Sequence, residues 1–150
     1  MAINFPEGTQ NFPTKIIQII EGNTATGFST SSTNYGDIGL DATITPKQSS
    51  NKIMVWGNVG GIETSAANTY SNMRLYRGGD LVLSHIDFGL AFTGDSGRIG
   101  TNSSFHVLDS PSTTSAVTYK IMANNPQPSG TITFQTNSSR SCIMLMEVEA

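Results

Sequence analysis

The sequence predicts an all-β fold, an antiparallel β-sandwich. Short runs rich in Val, Ile, Thr and aromatic residues recur along the chain, separated by clusters of Gly, Ser, Thr, Asn and Pro. No segment carries an apolar stripe of helical period over three turns, so helix content near zero is expected. Charged residues make up only 13% of the chain, about half the usual globular share, so its surface is solvated by hydroxyls and amides. At 150 residues the chain predicts one domain with a proper core, needing neither disulfide nor metal.

Residues 1–14 hold Pro6 and Pro13 and little periodicity, which reads as an extended N-terminal arm ahead of a sandwich over 15–150. The arm carries Ile3, Phe5 and Phe12. Exposed aromatics on a free tail are costly, so it is expected to pack on its own domain, on a neighbouring subunit or on an attachment surface. Lys15–Glu21 is a strand with little alternation, read as buried on both faces; Ile16 and Ile17 extend the apolar character of the arm. Gly22–Gly36 reads as a long polar loop. Leu40–Thr45 alternates with Leu40, Ala42 and Ile44 inward, and Pro46 stops it.

Lys52–Gly60 is the best central strand, with Ile53, Val55 and Gly57 on one face and Met54, Trp56 and Asn58 on the other. A loop is expected over 61–68. Tyr70–Arg77 and Leu81–Phe88 form the clearest hairpin, turning at Gly78-Gly79-Asp80, where glycine tolerates the positive φ of tight turns. A flexible Gly-rich stretch over 89–102 follows. Ser103–Leu108, Ala116–Ala123, Thr131–Gln135 and Cys142–Val148 complete about eight or nine strands.

Net charge is −3, and Lys and Arg are scattered with no basic run. A nucleic-acid binder needs a cationic patch to replace phosphate counterions, so nucleic acid is not an expected partner. Arg74 and Arg77, three apart on a strand, fall on opposite faces. No run approaches about 18 apolar residues, so no membrane-spanning helix is expected. The N-terminus lacks the basic start and apolar core of a secretion signal. The single Cys142, inside an apolar run, reads as a buried structural thiol of a chain folded in a reducing cytosol.

No catalytic, cofactor or metal site emerges. Gly94-Asp95-Ser96-Gly97 echoes a serine-protease nucleophile turn, but Arg98 follows it and the His…Asp…Ser order is absent, so His85 and His106 gain no role as base. His85 and Asp87 share one strand face, yet a catalytic zinc wants three protein ligands; they, like His106 and Asp109, read as polar strand sides. Asp37 and Asp41 flank Gly39 without the calcium-loop pattern. Gly57-Asn58-Val59-Gly60-Gly61 lacks the Lys-Ser/Thr ending of a phosphate cradle. Tyr35, Tyr70 and Phe92, in or near loops, are candidate stacking platforms for sugars.

Several stretches together resemble small β-modules in virion proteins of marine and cyanobacterial tailed phages. They are Met1-Ala2-Ile3-Asn4-Phe5-Pro6, Gly39–Pro46 followed by Ser49–Ile53, Leu75-Tyr76-Arg77-Gly78, Leu108–Lys120 and Met146-Glu147-Val148-Glu149. The resemblance implies a non-enzymatic virion component made in the host cytoplasm, a jelly-roll-like sandwich displayed as a homotrimer. The resemblance does not say which part of the virion; a free-standing domain with a short apolar arm and no long shaft suits a capsid decoration (cement) protein, anchored to neighbours such as the major capsid protein through Ile3, Phe5, Phe12, Ile16 and Ile17. The alternative is a tail-fibre or knob module that binds host-surface glycan through the loops of Tyr35 and Tyr70.

Overall fold

A computed structural model of the chain describes residues 15–90, 99–127 and 130–149; side chains are described for these except 85–90. Ten strands form among them: β1 (Ile16–Thr24), β2 (Phe28–Thr30), β3 (Gly36–Ile44), β4 (Lys52–Thr64), β5 (Ser71–Arg77), β6 (Asp80–Leu90), β7 (Ile99–Asp109), β8 (Val117–Asn124), β9 (Ile132–Phe134) and β10 (Ser141–Val148). One 3-10 turn, Thr136–Ser138, is the only helical element described.

The pairings define a jelly-roll-like sandwich. Without the short β2 and β9, the eight long strands pair first with last and inward from there: β1 with β10, β3 with β8, β4 with β7, and β5 with β6, all antiparallel. The chain is thus one long hairpin. It is rolled so that β10 also pairs with β4, and β8 with β5. One sheet therefore runs β1-β10-β4-β7, with β9 and β2 continuing beside β4, and the other runs β3-β8-β5-β6. Such rolling covers sheet edges that a flat meander would leave open.

Alternation places the core between the sheets. Leu40 and Ile44 of β3, Ile53, Val55 and Val59 of β4, Leu75 of β5, Tyr119 and Ile121 of β8, and Ile143 and Leu145 of β10 are all buried. Fully burying one such aliphatic side chain stabilises the fold by about 1.5–3 kcal/mol. The inward face expected for β3 is the observed one, and of the two faces read for β4 the one of Ile53, Val55 and Gly57 is buried.

Elsewhere the structure departs from expectation. The predicted loop over 22–36 holds the end of β1 and all of β2. Phe28 of β2 packs its ring 6.1 Å from that of Phe134 on β9, and Ser29 and Thr133 share a hydroxyl hydrogen bond of 3.1 Å. Polar composition hid the strand because its partner is three residues long. The predicted loop after Gly60 is a continuation of β4 to Thr64. Gly61 takes φ +59° at a bulge, and a Cβ there would lie 2.7 Å from the Thr136 nitrogen, so glycine lets the strand bend past the 3-10 turn. The stretch over 89–102 is strand at both ends, with residues 91–98 outside the described set.

Two burial expectations are corrected. Ile16 and Ile19 of β1 are each 54% exposed, because their side of the sheet has no second layer among the described residues. Cys142 is exposed, not a buried thiol. Within β10 the aliphatic Ile143 and Leu145 take the core face and leave Cys142, Met144 and Met146 on the other.

Candidate interaction surface

Among the described residues, the outer face of the β1-β10-β4-β7 sheet gathers three of the exposed large hydrophobic side chains, Ile16, Ile19 and Trp56. Register aligns its outward side chains in rows across the strands. Ile19, Met146, Met54 and Leu108 form one row, and Glu21, Met144, Trp56 and His106 the next. Asn23, Cys142, Asn58 and Ser104 form a polar row beyond, where Asn58 Nδ2 donates to Ser104 Oγ at 2.9 Å. Ile16 and Val148 close the opposite end beside Lys52.

Trp56, the only tryptophan in the chain, stands at the centre and is 57% exposed. Shallow depressions flank it. One, of about 330 Å³, is lined by Gly57, Asn58, Ser104, Cys142 and Met144; the other, of about 290 Å³, by Met54, His106 and Met146. An exposed indole among three thioethers is an adaptable apolar surface, of the kind that marks a contact site. Charge sits at its margins, in Glu21 and Lys52. The sequence reading placed Met54 and Trp56 on one face but gave them no role. The readable signal was the Met144-Leu145-Met146 alternation of β10, since methionine there faces away from the aliphatic core.

The residues proposed from sequence are dispersed. Ile3, Phe5 and Phe12 lie outside the described residues. Ile16 sits on the outer face, whereas Ile17 is the extra residue where the β1–β10 register shifts between Ile16 and Gln18. Tyr70 is buried, 8% exposed, so its ring offers no platform to a ligand. Tyr35 is half-buried, with the Arg74 guanidinium 4.4 Å from its ring centroid, over one face of the ring. Phe92, Ser96 and the turn around it, and the side chains of His85 and Asp87, are outside the described set. Asp37 caps the bulge at Gly39 by accepting from its backbone N–H at 2.9 Å and lies 3.7 Å from Lys120 Nζ. His106 is exposed on the outer face.

Asp109 is not the solvent-facing strand residue expected. It accepts from Arg77 Nη1 at 2.6 Å and from the Tyr119 hydroxyl at 2.7 Å. Burial, reinforced by that carboxylate, pushes the Tyr119 phenol well above its usual range. Both donors meet at one carboxylate oxygen, Oδ2, and the arrangement ties β5, β7 and β8 together. A second polar knot forms around Glu147, which is fully buried. Its carboxylate accepts from Gln18 Nε2 at 2.6 Å, Asn51 Nδ2 at 2.7 Å and the Lys47 amide at 2.7 Å. Burial opposes ionisation, but these donors outweigh it and hold the carboxyl below its ordinary value. Among the described residues no three His, Cys, Asp or Glu side chains gather as metal ligands.

No family model matches the sequence, and no curated protein does. Solved structures do match. The chain aligns over 100% of its length with 42% of the capsid protein VP2 in the crystal structure of the infectious bursal disease virus VP2 subviral particle, at 14% identity and a TM-score of 0.52. The structure of T=1 particles derived from the same virus gives 14% identity over 100% of this chain and 41% of that one, with a TM-score of 0.52. The Gx strain of the virus gives 11% identity and a TM-score of 0.52 over the same shares. The chain thus spans about two fifths of the length of these proteins, and what it has in common with them is the jelly-roll-like sandwich fold.

Proposed function

We propose that this chain is a non-enzymatic structural protein of a virus particle, a homotrimeric β-sandwich that decorates or cements the capsid of a tailed phage. The observation that carries the reading is the alignment of the entire chain with the jelly roll of VP2, a protein that builds particles. Its chemistry agrees: a low-charge surface, polar clusters whose donors and acceptors satisfy one another, and one broad apolar face suited to packing. The arm, through Ile3, Phe5 and Phe12, with Ile16 and Ile17 at its root, anchors the protein to its neighbours, the major capsid protein among them. The 15–150 segment acts as one sandwich domain. The alternative is a fibre tip that reads host-surface glycan through the loops of Tyr35 and Tyr70; burial of the Tyr70 ring favours the decoration reading over it.

The test is particle-based. Antibody against this chain should label intact capsids, and the chain should co-purify with them at fixed stoichiometry in multiples of three. Capsids made without it should lose integrity at lower temperature. A chain absent from purified particles, or found only on tail tips with saturable sugar binding, overturns the reading.

A further inference from the structure

We infer that the apolar face centred on Trp56 is the receiving surface for the N-terminal arm of a second copy of this chain. The inference rests on the anchoring role given above to residues 1–14, and adds where the arm lands and on which molecule.

The face needs an occupant. Ile19, Met146 and Met54 form an unbroken apolar row beside the half-exposed Trp56, and nothing among the described residues covers them. A contiguous exposed patch of this kind is rare on a free-standing soluble surface. Residues 1–14 match it in chemistry, with Ile3, Phe5 and Phe12 against a single charged side chain, Glu7. Lys52 at one end of the face offers that carboxylate a partner.

Reach and direction select the second copy. The chain is pinned at Lys15, whose carbonyl accepts from the Glu149 amide at 3.0 Å. β1 then starts in the row of Val148 and runs toward the row of Cys142. The arm therefore leaves its own sheet at the Val148 end, heading away from Trp56. Returning would require the arm to double back, and Pro13 biases Phe12 toward extended backbone, against a reversal next to Lys15. Running on, Phe12 is three residues from Lys15 and reaches roughly 10 Å, while Phe5, ten residues away, reaches roughly 33 Å. Three strand spacings make the face only about 14 Å across. Phe12 thus stays near its own Ile16, and Ile3 and Phe5 reach a neighbour's face. In a closed ring each copy gives one arm and receives one.

Two native residues report directly on this. Cys142, the only cysteine, is exposed on the same face, and Trp56 is the only tryptophan. Full-length protein carrying Ile3→Cys, Phe5→Cys or Gly8→Cys is oxidised mildly and run on a non-reducing denaturing gel. At least one variant should give covalent dimers and trimers that vanish with Cys142→Ser. Trp56 emission in the native chain should be blue-shifted, and the shift should be lost in Ile3→Ser/Phe5→Ser. Disulfides closed within single chains, or no disulfide from any of the three with an emission unmoved by the double substitution, overturn the inference. If Ile3→Ser/Phe5→Ser/Phe12→Ser protein still assembles at native mass, the anchoring role itself fails. If it falls apart while Trp56 and Cys142 never respond, the arm anchors elsewhere and only the receiving face is wrong.

Discussion

Glu147 shows how one buried charge fixes several elements at once. Its two oxygens hold Gln18 of β1 and the Lys47 and Asn51 donors of the turn between β3 and β4. Gln18 Nε2 also donates to the Thr45 carbonyl at 2.8 Å, so the knot reaches the end of β3. Because the folded-state value lies below the unfolded one, the ionised carboxylate stabilises the fold above the unfolded value near 4.5, and that contribution is lost as pH falls through the folded value. Urea unfolding of the native protein should therefore show stability dropping from about pH 5 downward, with a shallower drop in Glu147→Gln. At neutral pH that variant turns an amide N–H₂ toward one of these donors and should lose about 1–3 kcal/mol. An equal acid slope in both proteins would assign the acid sensitivity to other carboxylates. A similar argument applies to Tyr119→Phe, which removes one of the two hydrogen bonds into Asp109 and should cost about 1.5–3 kcal/mol in the same assay. Neither knot was readable beforehand. Glu147 lies in a run that ends Glu-Val-Glu, and Asp109 precedes a Ser-Pro turn, so both look like polar strand ends. Their partners come from β1, β5, β8 and the turn after β3, which only the fold brings near.

At the scale of the strand, β4 carries the most constraint, since β10 flanks one side and β7 the other. Gly57 lies mid-strand on the inward face, opposite Phe105 of β7. A Cβ at that position would sit 2.3 Å from the Phe105 Cζ, so the phenyl ring lies over the glycine and fills the missing side-chain volume. Gly57→Val should force the ring aside and cost about 1–3 kcal/mol by overpacking. Phe105→Ala in the same chain should recover part of that loss, giving a coupling energy of about 1 kcal/mol in a double-mutant cycle by chemical denaturation. Strictly additive losses would mean that ring and glycine do not share space. The existence of β4 was legible because Ile53-Met54-Val55-Trp56 is a run of strand-favouring apolar residues that follows the turn chemistry of Gln48–Asn51. Its extension to Thr64 was not, because Gly60 and Gly61 read as loop chemistry when they serve a bulge. β2 escaped for a related reason, since a three-residue strand in polar surroundings has no measurable period, whereas its partner β9 lies within the strand expected over Thr131–Gln135.

The rolled hairpin of the whole molecule sets an order for its formation. The β5–β6 pair closes over the two-residue turn at Gly78-Gly79 and needs no other strand. Each later pair encloses the earlier ones: β4 with β7, β3 with β8, and last β1 with β10. Loop closure costs entropy before the contacts it permits repay it, so the outer pairs come late and the fold forms slowly, in milliseconds to seconds. β10 occupies the slot between β1 and β4, and its Ile143 and Leu145 complete the core. Removing it would strand β1 without a ladder and open a trough beside Val55. A chain ended at residue 140 should therefore not give a smaller sandwich but an unfolded or aggregating product, without dispersed amide signals in its NMR spectrum. Removing β1 by ending an N-terminal deletion at residue 25 takes only an edge strand, so that product should keep a cooperative unfolding transition at reduced stability. Stopped-flow fluorescence of Trp56, on the central strand, should follow refolding of the full chain in a dominant phase on the slow side of that range. A truncated chain ending at residue 140 that still unfolds cooperatively would show that the inner strands form an autonomous core, and that closure by the last strand is an addition to it.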